Sequence, residues 1–167
     1  MSNVHLYHPN KNNTGFAASF SQSDKDGTVF ATIIKQSGWD STKSTGSFKD
    51  SRNDPAKNVN IKLAQVEISA ILDCIERNRP FNTVHDGEKS LKTIKFEPWM
   101  NKPMNATDKP TQRGYSFSVT SADKQDSTTK NSLYIGITFP EGRLIREFLV
   151  FALQNQFSRV EAASGGI

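Results

Sequence analysis

Twice in this chain a strictly alternating run passes directly into helical spacing, and no other feature limits the fold as tightly. The junctions are NVNIKLAQVEISAILDCI, Asn58 to Ile75, and LYIGITFPEGRLIREFLV, Leu133 to Val150. In the first, Val59, Ile61 and Leu63 alternate with Asn60 and Lys62, the period of a half-buried strand. Ile68, Ile71, Leu72 and Ile75 then recur at i, i+3, i+4 and i+7, a single apolar stripe along a helix expected from Ala64 to Asn78. Arg77 suits the helix C-terminus and Pro80 stops it. In the second, Leu133, Ile135, Ile137 and Phe139 alternate before Pro140 opens a helix that runs to about Gln156. Aligned on pattern, Ile61 corresponds to Ile137, Leu63 to Phe139 and Ile68 to Leu144, a weak internal repeat.

The remaining segments fill out two similar halves. Asn13 to Gln22 alternates through Phe16, Ala18 and Phe20, and a turn ending at Gly27 leads to a second strand, Thr28 to Gln36, as in an antiparallel hairpin. KSTGSFK, Lys43 to Lys49, is a weaker strand, followed by a loop from Asp50 to Lys57. In the second half, Phe81 to His85, Leu91 to Phe96, Arg113 to Thr120 and Asn131 to Phe139 are strands. Pro98 to Gln112 holds three of the seven prolines and reads as a long loop, and Ser121 to Lys130 reads as another. The expectation is an α+β domain of two strand-rich blocks each closed by a helix, ββββα-ββββα, with antiparallel sheets. Residues 1–12 are expected to be a flexible N-terminus, 13–157 one domain of two pseudo-repeats (13–79 and 80–157), and 158–167 a flexible tail. A chain of 167 residues buries a core without staples, and its 11 phenylalanines offset an apolar fraction of only 35%.

The second helix carries Leu144, Ile145, Phe148, Leu149, Val150, Phe151 and Leu153, apolar nearly all round. One sheet does not cover such a helix, so it is expected to serve as a homo-oligomer interface.

No arrangement of residues points to an enzyme, and no cofactor or metal is implied. Glycine-rich phosphate loops, HExxH, paired CxxC and GxSxG are all absent from the sequence. His5 and His8 fall in the expected loose terminus, and His85 in a turn beside Asp86 and Glu88. The one cysteine, Cys74, lies on the apolar side of the first helix and reads as a buried thiol. The beginning of the chain has no apolar leader, and no window is long and apolar enough to span a membrane. The expected place is the cytoplasm, or the host cytoplasm for a viral protein.

Basic and aromatic residues are the features that suggest a partner. The net charge is +4, and lysines recur in or beside the strands close to rings. A surface that binds single-stranded nucleic acid needs cations for phosphates and flat rings for bases. Trp39 and Trp99 stand in polar, turn-rich surroundings and are the stacking candidates, with Phe48 and Tyr115 beside them. Lys35, Lys43, Lys49, Lys62, Lys92, Lys95 and Arg113 are the phosphate candidates. The alternative is that the rings are core and the lysines protect strand edges.

Four strands, helix, four strands, helix over Asn13 to Gln156 resembles the Whirly-type single-stranded DNA-binding proteins. Their relatives, the positive-cofactor-four coactivators and phage homologues, carry one such unit per chain and dimerise. The resemblance implies sheets that stand out like blades, helices packed at the centre, oligomers formed through them, and single strands running across the sheet edges, bound by stacking with little base readout. The plant proteins carry a lysine- and glycine-containing strand motif, whose nearest counterpart here is KSTGSFK, Lys43 to Lys49. The implied role is sequence-independent single-stranded DNA binding in replication, recombination or repair, with modest charge and polar loops suiting a phage or bacterial protein. RNA is the alternative ligand, since guide-RNA-binding relatives of this fold exist. A viral structural or assembly protein is the reading from another class.

Overall fold

The computed structural model describes residues 1–164. Its strands and helices follow one another as β1 (Ser2–His8), β2 (Phe16–Gln22), β3 (Val29–Lys35), β4 (Gly38–Asp40), β5 (Thr45–Ser47), β6 (Asn58–Leu63), α1 (Gln65–Arg77), β7 (Phe81–Asp86), β8 (Ser90–Met100), β9 (Gln112–Asp123), β10 (Lys130–Ile137) and α2 (Phe139–Ser164). Two antiparallel four-stranded sheets form, in the orders β1-β2-β3-β6 and β7-β8-β9-β10, and β4 and β5 make a separate small hairpin. Each large sheet is followed in the chain by a helix, so the α+β architecture of two strand blocks is the one expected.

Its membership differs from the expectation in three places. The supposedly flexible N-terminus is β1, an edge strand paired along its length with β2 from Ser2↔Gln22 to His8↔Phe16. Val4 and Leu6 are buried beneath it while His5 and Tyr7 point outward, so two apolar side chains at period two hold it. The KSTGSFK segment is not a strand of the first sheet; Thr45–Ser47 pairs only with Gly38–Asp40. The tail expected from residue 158 continues α2 through Ser164, where Arg159 donates to the Asp24 and Lys25 carbonyls, and the rest of it lies outside the described residues.

Alternation sets which side of each strand faces the core. Phe20, Ala31, Ile33 and Ile61 from the first sheet meet Ile94, Phe96, Phe117, Ile135 and Ile137 from the second, all but excluded from solvent. Phe117 sits between Phe20 and Phe96, with ring centroids 5.6 and 6.0 Å away. Many outward side chains are small or polar, Ala17, Ser19 and Thr32 on one sheet and Ser116, Ser118, Thr120 and Gly136 on the other, with Phe30, Ile34 and Tyr134 among them.

The helices are exchanged. α1, from the first block, packs on β7 and β8 of the second sheet, whereas α2 packs on β1 and β2 of the first as well as on β9. Ile68, Ile71 and Cys74 form the buried side of α1, and Ile145, Phe148, Leu149 and Ala152 that of α2. Two histidine–glutamate pairs repeat the exchange. His8 at the end of β1 meets Glu141 of α2 (Nε2 to Oε1, 2.5 Å), and His85 of β7 meets Glu67 of α1 (2.6 Å). Both glutamates are the third residue of their helix and also accept from the backbone N–H three residues back, Thr138 and Ala64, at 2.8 Å. The caps therefore equate Glu67 with Glu141, and the repeat aligns Leu63 with Ile137 rather than with Phe139, a two-residue correction to the pattern-based register.

Burial opposes ionisation of Glu141, but hydrogen bonds from Thr138 and His8 outweigh it and hold the carboxyl below its usual range. A lowered folded-state pKa stabilises the fold above the unfolded-state value and ceases to do so as pH falls through the folded-state value. Glu141→Ala should therefore cost about 1–2 kcal/mol at neutral pH, as a lost cap does. In urea melts, the gap between parent and variant should narrow on acidification below the ordinary glutamate range; a constant gap would show that the carboxylate charge is irrelevant.

Candidate nucleic-acid interface

The outer face of the first sheet carries a cleft of about 510 Å³. Its floor is made of Ala17, Ser19, Thr32 and the larger Ile34, and one wall is the chain that follows β5. Two rings stand at that wall, Tyr7 from β1 and Phe48 after β5, edge to face with centroids 5.4 Å apart. Tyr7 is half exposed. Its hydroxyl donates to the Gly46 carbonyl at 2.6 Å and accepts from the Gly46 N–H at 3.0 Å, which fixes the hairpin against the sheet. Lys49 and Arg52 complete the lining, with His5 at the strand edge.

Most of the ion pairs lie away from this cleft, and most lysines, here as elsewhere, have no carboxylate partner among the described residues. The acids near the helices are occupied: Asp73 by Arg77 and Arg79, Glu76 and Glu147 by Arg146, Glu147 also by Arg143. Others cap turns, such as Asp26, whose carboxyl is pulled down to about 2, first by the Thr28 N–H. Among the described residues no carboxylate pairs with Lys49 or Arg52, so their charge is left facing the cleft.

The candidates from sequence scatter around this centre. Phe48 and Lys49 are in the cleft, and exposed Lys43 lies in the hairpin turn beyond it. Trp39 is half-buried on β4 opposite Gly46. Lys62 is exposed on β6, on the outer side of the same sheet, opposite Phe30. Lys35 falls at the end of β3 on the inward parity, opposite Phe16. Lys92 is likewise inward, half-buried opposite Ser121 in the groove between the two blocks. Lys95, Trp99 and Arg113 belong to the second sheet. Lys95 is exposed on its outer face.

Trp99 lies on what was expected to be loop. β8 continues through Pro98 to Met100, and the Trp99 ring covers Gly136, where an added Cβ would come within 2.2 Å of it. The Arg113 guanidinium sits over the ring, 3.9 Å from its centroid. Stacking a base on that side therefore requires Arg113 to swing off. Tyr115 has no free ring face for stacking. It is buried, its ring packs near Phe96 and Phe139, and its hydroxyl donates to the Ile75 carbonyl at 2.8 Å. Its alternation with Phe117 and Val119 is that of the core face. His5, Tyr7 and Arg52 were not among the sequence candidates, because β1 reads as a loose terminus and Arg52 as a loop residue. Among the described residues no group of three or more histidine, cysteine, aspartate or glutamate side chains is placed to hold a metal ion.

No protein-family model and no curated protein matches the sequence. Solved structures do match in fold. WHY3 from Arabidopsis thaliana superposes with a TM-score of 0.64 at 16% identity, over 98% of this chain and 93% of that one. The plant transcriptional regulator PBF-2 gives 0.62 at 15% identity, over 98% and 86%. The Trypanosoma MRP1/MRP2 structure gives 0.56 at 13% identity, over 95% and 87%. The likeness is one of fold: two antiparallel blades, each followed by a helix, as in the Whirly proteins.

Proposed function

We propose that this Whirly-fold chain binds single-stranded nucleic acid, DNA in the first place, largely without regard to sequence, as an oligomer serving replication, recombination or repair in a cytoplasm. One observation carries the reading: the cleft on the first sheet joins two rings to two cations with no carboxylate partner among the described residues. Unpaired bases present faces that stack on rings, whereas a duplex keeps them covered, so the cleft favours single strands. Ala17, Ser19 and Thr32 leave the backbone room to approach the cations, and they offer no buried polar group that discriminates one base from another.

The test is fluorescence anisotropy with labelled oligo-dT, duplex DNA and single-stranded RNA at two salt concentrations. Tight oligo-dT binding that weakens steeply with salt, and weak duplex binding, is the expected result. RNA bound more tightly than oligo-dT would move the assignment to RNA. No binding to any of the three would leave a structural or assembly role as the better reading.

The oligomer is proposed to form through α2. Phe148 and Leu149 are spent inside the subunit, but Leu144, Phe151 and Phe157 are each about half exposed, at 52, 50 and 54%. Phe151→Asp should convert the oligomer to a folded monomer, read by light scattering, because a charge in an apolar interface is costly. Phe148→Asp should instead unfold the chain. A parent protein that is monomeric at working concentration would end this part of the proposal.

A further inference from the structure

Gln36 is the residue that joins the N-terminal loop to the hairpin walling the cleft. It follows β3, is only 2% exposed, and uses its amide fully. Oε1 accepts from the N–H groups of Asn10 (2.9 Å) and Gly15 (3.2 Å). Nε2 donates to the carbonyls of Asn10 (2.9 Å) and Gly38 (2.8 Å). Gly38 begins β4, so a single side chain ties the loop between β1 and β2 to the base of the hairpin.

The hairpin rests on that seat. A Cβ added at Gly46 would fall 2.4 Å from the Pro9 ring and 3.1 Å from the Gln36 amide nitrogen, so β5 lies directly on both. The Ser37 N–H donates to the Ser47 carbonyl at 2.8 Å, one residue past Gln36. Only a side chain with both a donor and an acceptor at this length satisfies two N–H groups and two carbonyls at once. A buried glutamine with every hydrogen bond made is a rigid connector.

We infer that Gln36 is a positioning residue for the single-strand cleft: it touches no ligand, but by seating the β4–β5 hairpin it holds Phe48 and Lys49 at the wall. This rests on the nucleic-acid reading of the cleft. That reading needs the cations and rings to be present; the inference adds that their arrangement depends on one amide outside the cleft.

The experiment combines binding with amide hydrogen exchange on the full chain. Gln36→Leu should weaken oligo-dT binding about ten-fold, the scale of one lost stacking contact. It should also speed exchange at Gly15, Ser37 and Gly46 while the amides shared by β8 and β9 exchange as before. Lys49→Ala should then lose most of its effect in the Gln36→Leu background, since the lysine is no longer held at the cleft; a residue that only stabilises the fold would leave the two effects independent. Unchanged exchange at the hairpin, or effects on affinity that simply multiply, overturns the inference. If the parent itself fails to bind oligo-dT, the functional reading falls on that result alone, and the exchange pattern still decides whether Gln36 seats the hairpin. Should Gln36→Leu not fold, Gln36→Met keeps the side-chain length without the amide, and the same exchange and coupling with Lys49 are expected from it.

Discussion

Alanine at both Lys49 and Arg52 should weaken oligo-dT binding by about 100-fold in dilute salt, and the loss should shrink as salt rises. The size follows from what these cations lack. A lysine already paired to a carboxylate gives up one partner to take a phosphate, whereas no carboxylate pairs with either of these among the described residues. Both side chains are exposed, so their removal leaves the core intact and the variant should melt like the parent. For a single strand each phosphate neutralised contributes about 0.7 to the slope of log affinity against log salt, so the double variant should flatten it by about 1.4. Loss of affinity with an unchanged slope would mean that the two residues act through packing rather than charge.

Phe117→Ala should remove about 3–5 kcal/mol of stability, a large part of the roughly 5–15 kcal/mol that holds a domain together. Phe117 is fully buried and lies between a ring of each sheet, Phe20 and Phe96. Truncation opens a cavity where the two blocks meet, and close-packed β-sheets on either side limit collapse into it. A urea melt reads the effect directly. A loss under about 1 kcal/mol would show that the blocks slide together and refill the space.

The strand blocks were legible in the sequence because alternation and helical spacing are local. Asn58–Leu63 agrees with expectation to the residue, and α1 to within a residue at each end. What was missed depends on partners far along the chain. Ser2–His8 has only Val4 and Leu6 on its buried side, too short a signal until β2 is placed beside it. Pro98 reads as a loop residue, yet β7 starts at Phe81 opposite Phe96, so β8 beyond that point has a strand on one side only and tolerates a residue with no N–H. The cleft was half legible: Phe48 and Lys49 were named, while Tyr7 and Arg52 reach it only through the fold of β1 and the loop after β5. Tyr115 and Trp99 show the converse. Composition marks a ring without telling whether its face is free, and here one ring is core and the other lies between Gly136 and Arg113.

The exchange of helices also governs the order in which a growing chain acquires shelter. α1 is complete at Arg77, but β8, on which it rests, is complete only at Met100. At about 5–20 residues per second, Ile68, Ile71 and Cys74 wait for about one to five seconds on the ribosome without a sheet to cover them. The first sheet waits longer, because its cover is the second sheet, complete only at Ile137, together with α2, which begins at Phe139. Until the strands of the second sheet arrive, Phe20, Ile33 and Ile61 form a finished strand surface with nothing above it. Neither block is a unit that synthesis can complete and leave behind, so the nascent chain should engage a holding chaperone until its last helix has emerged.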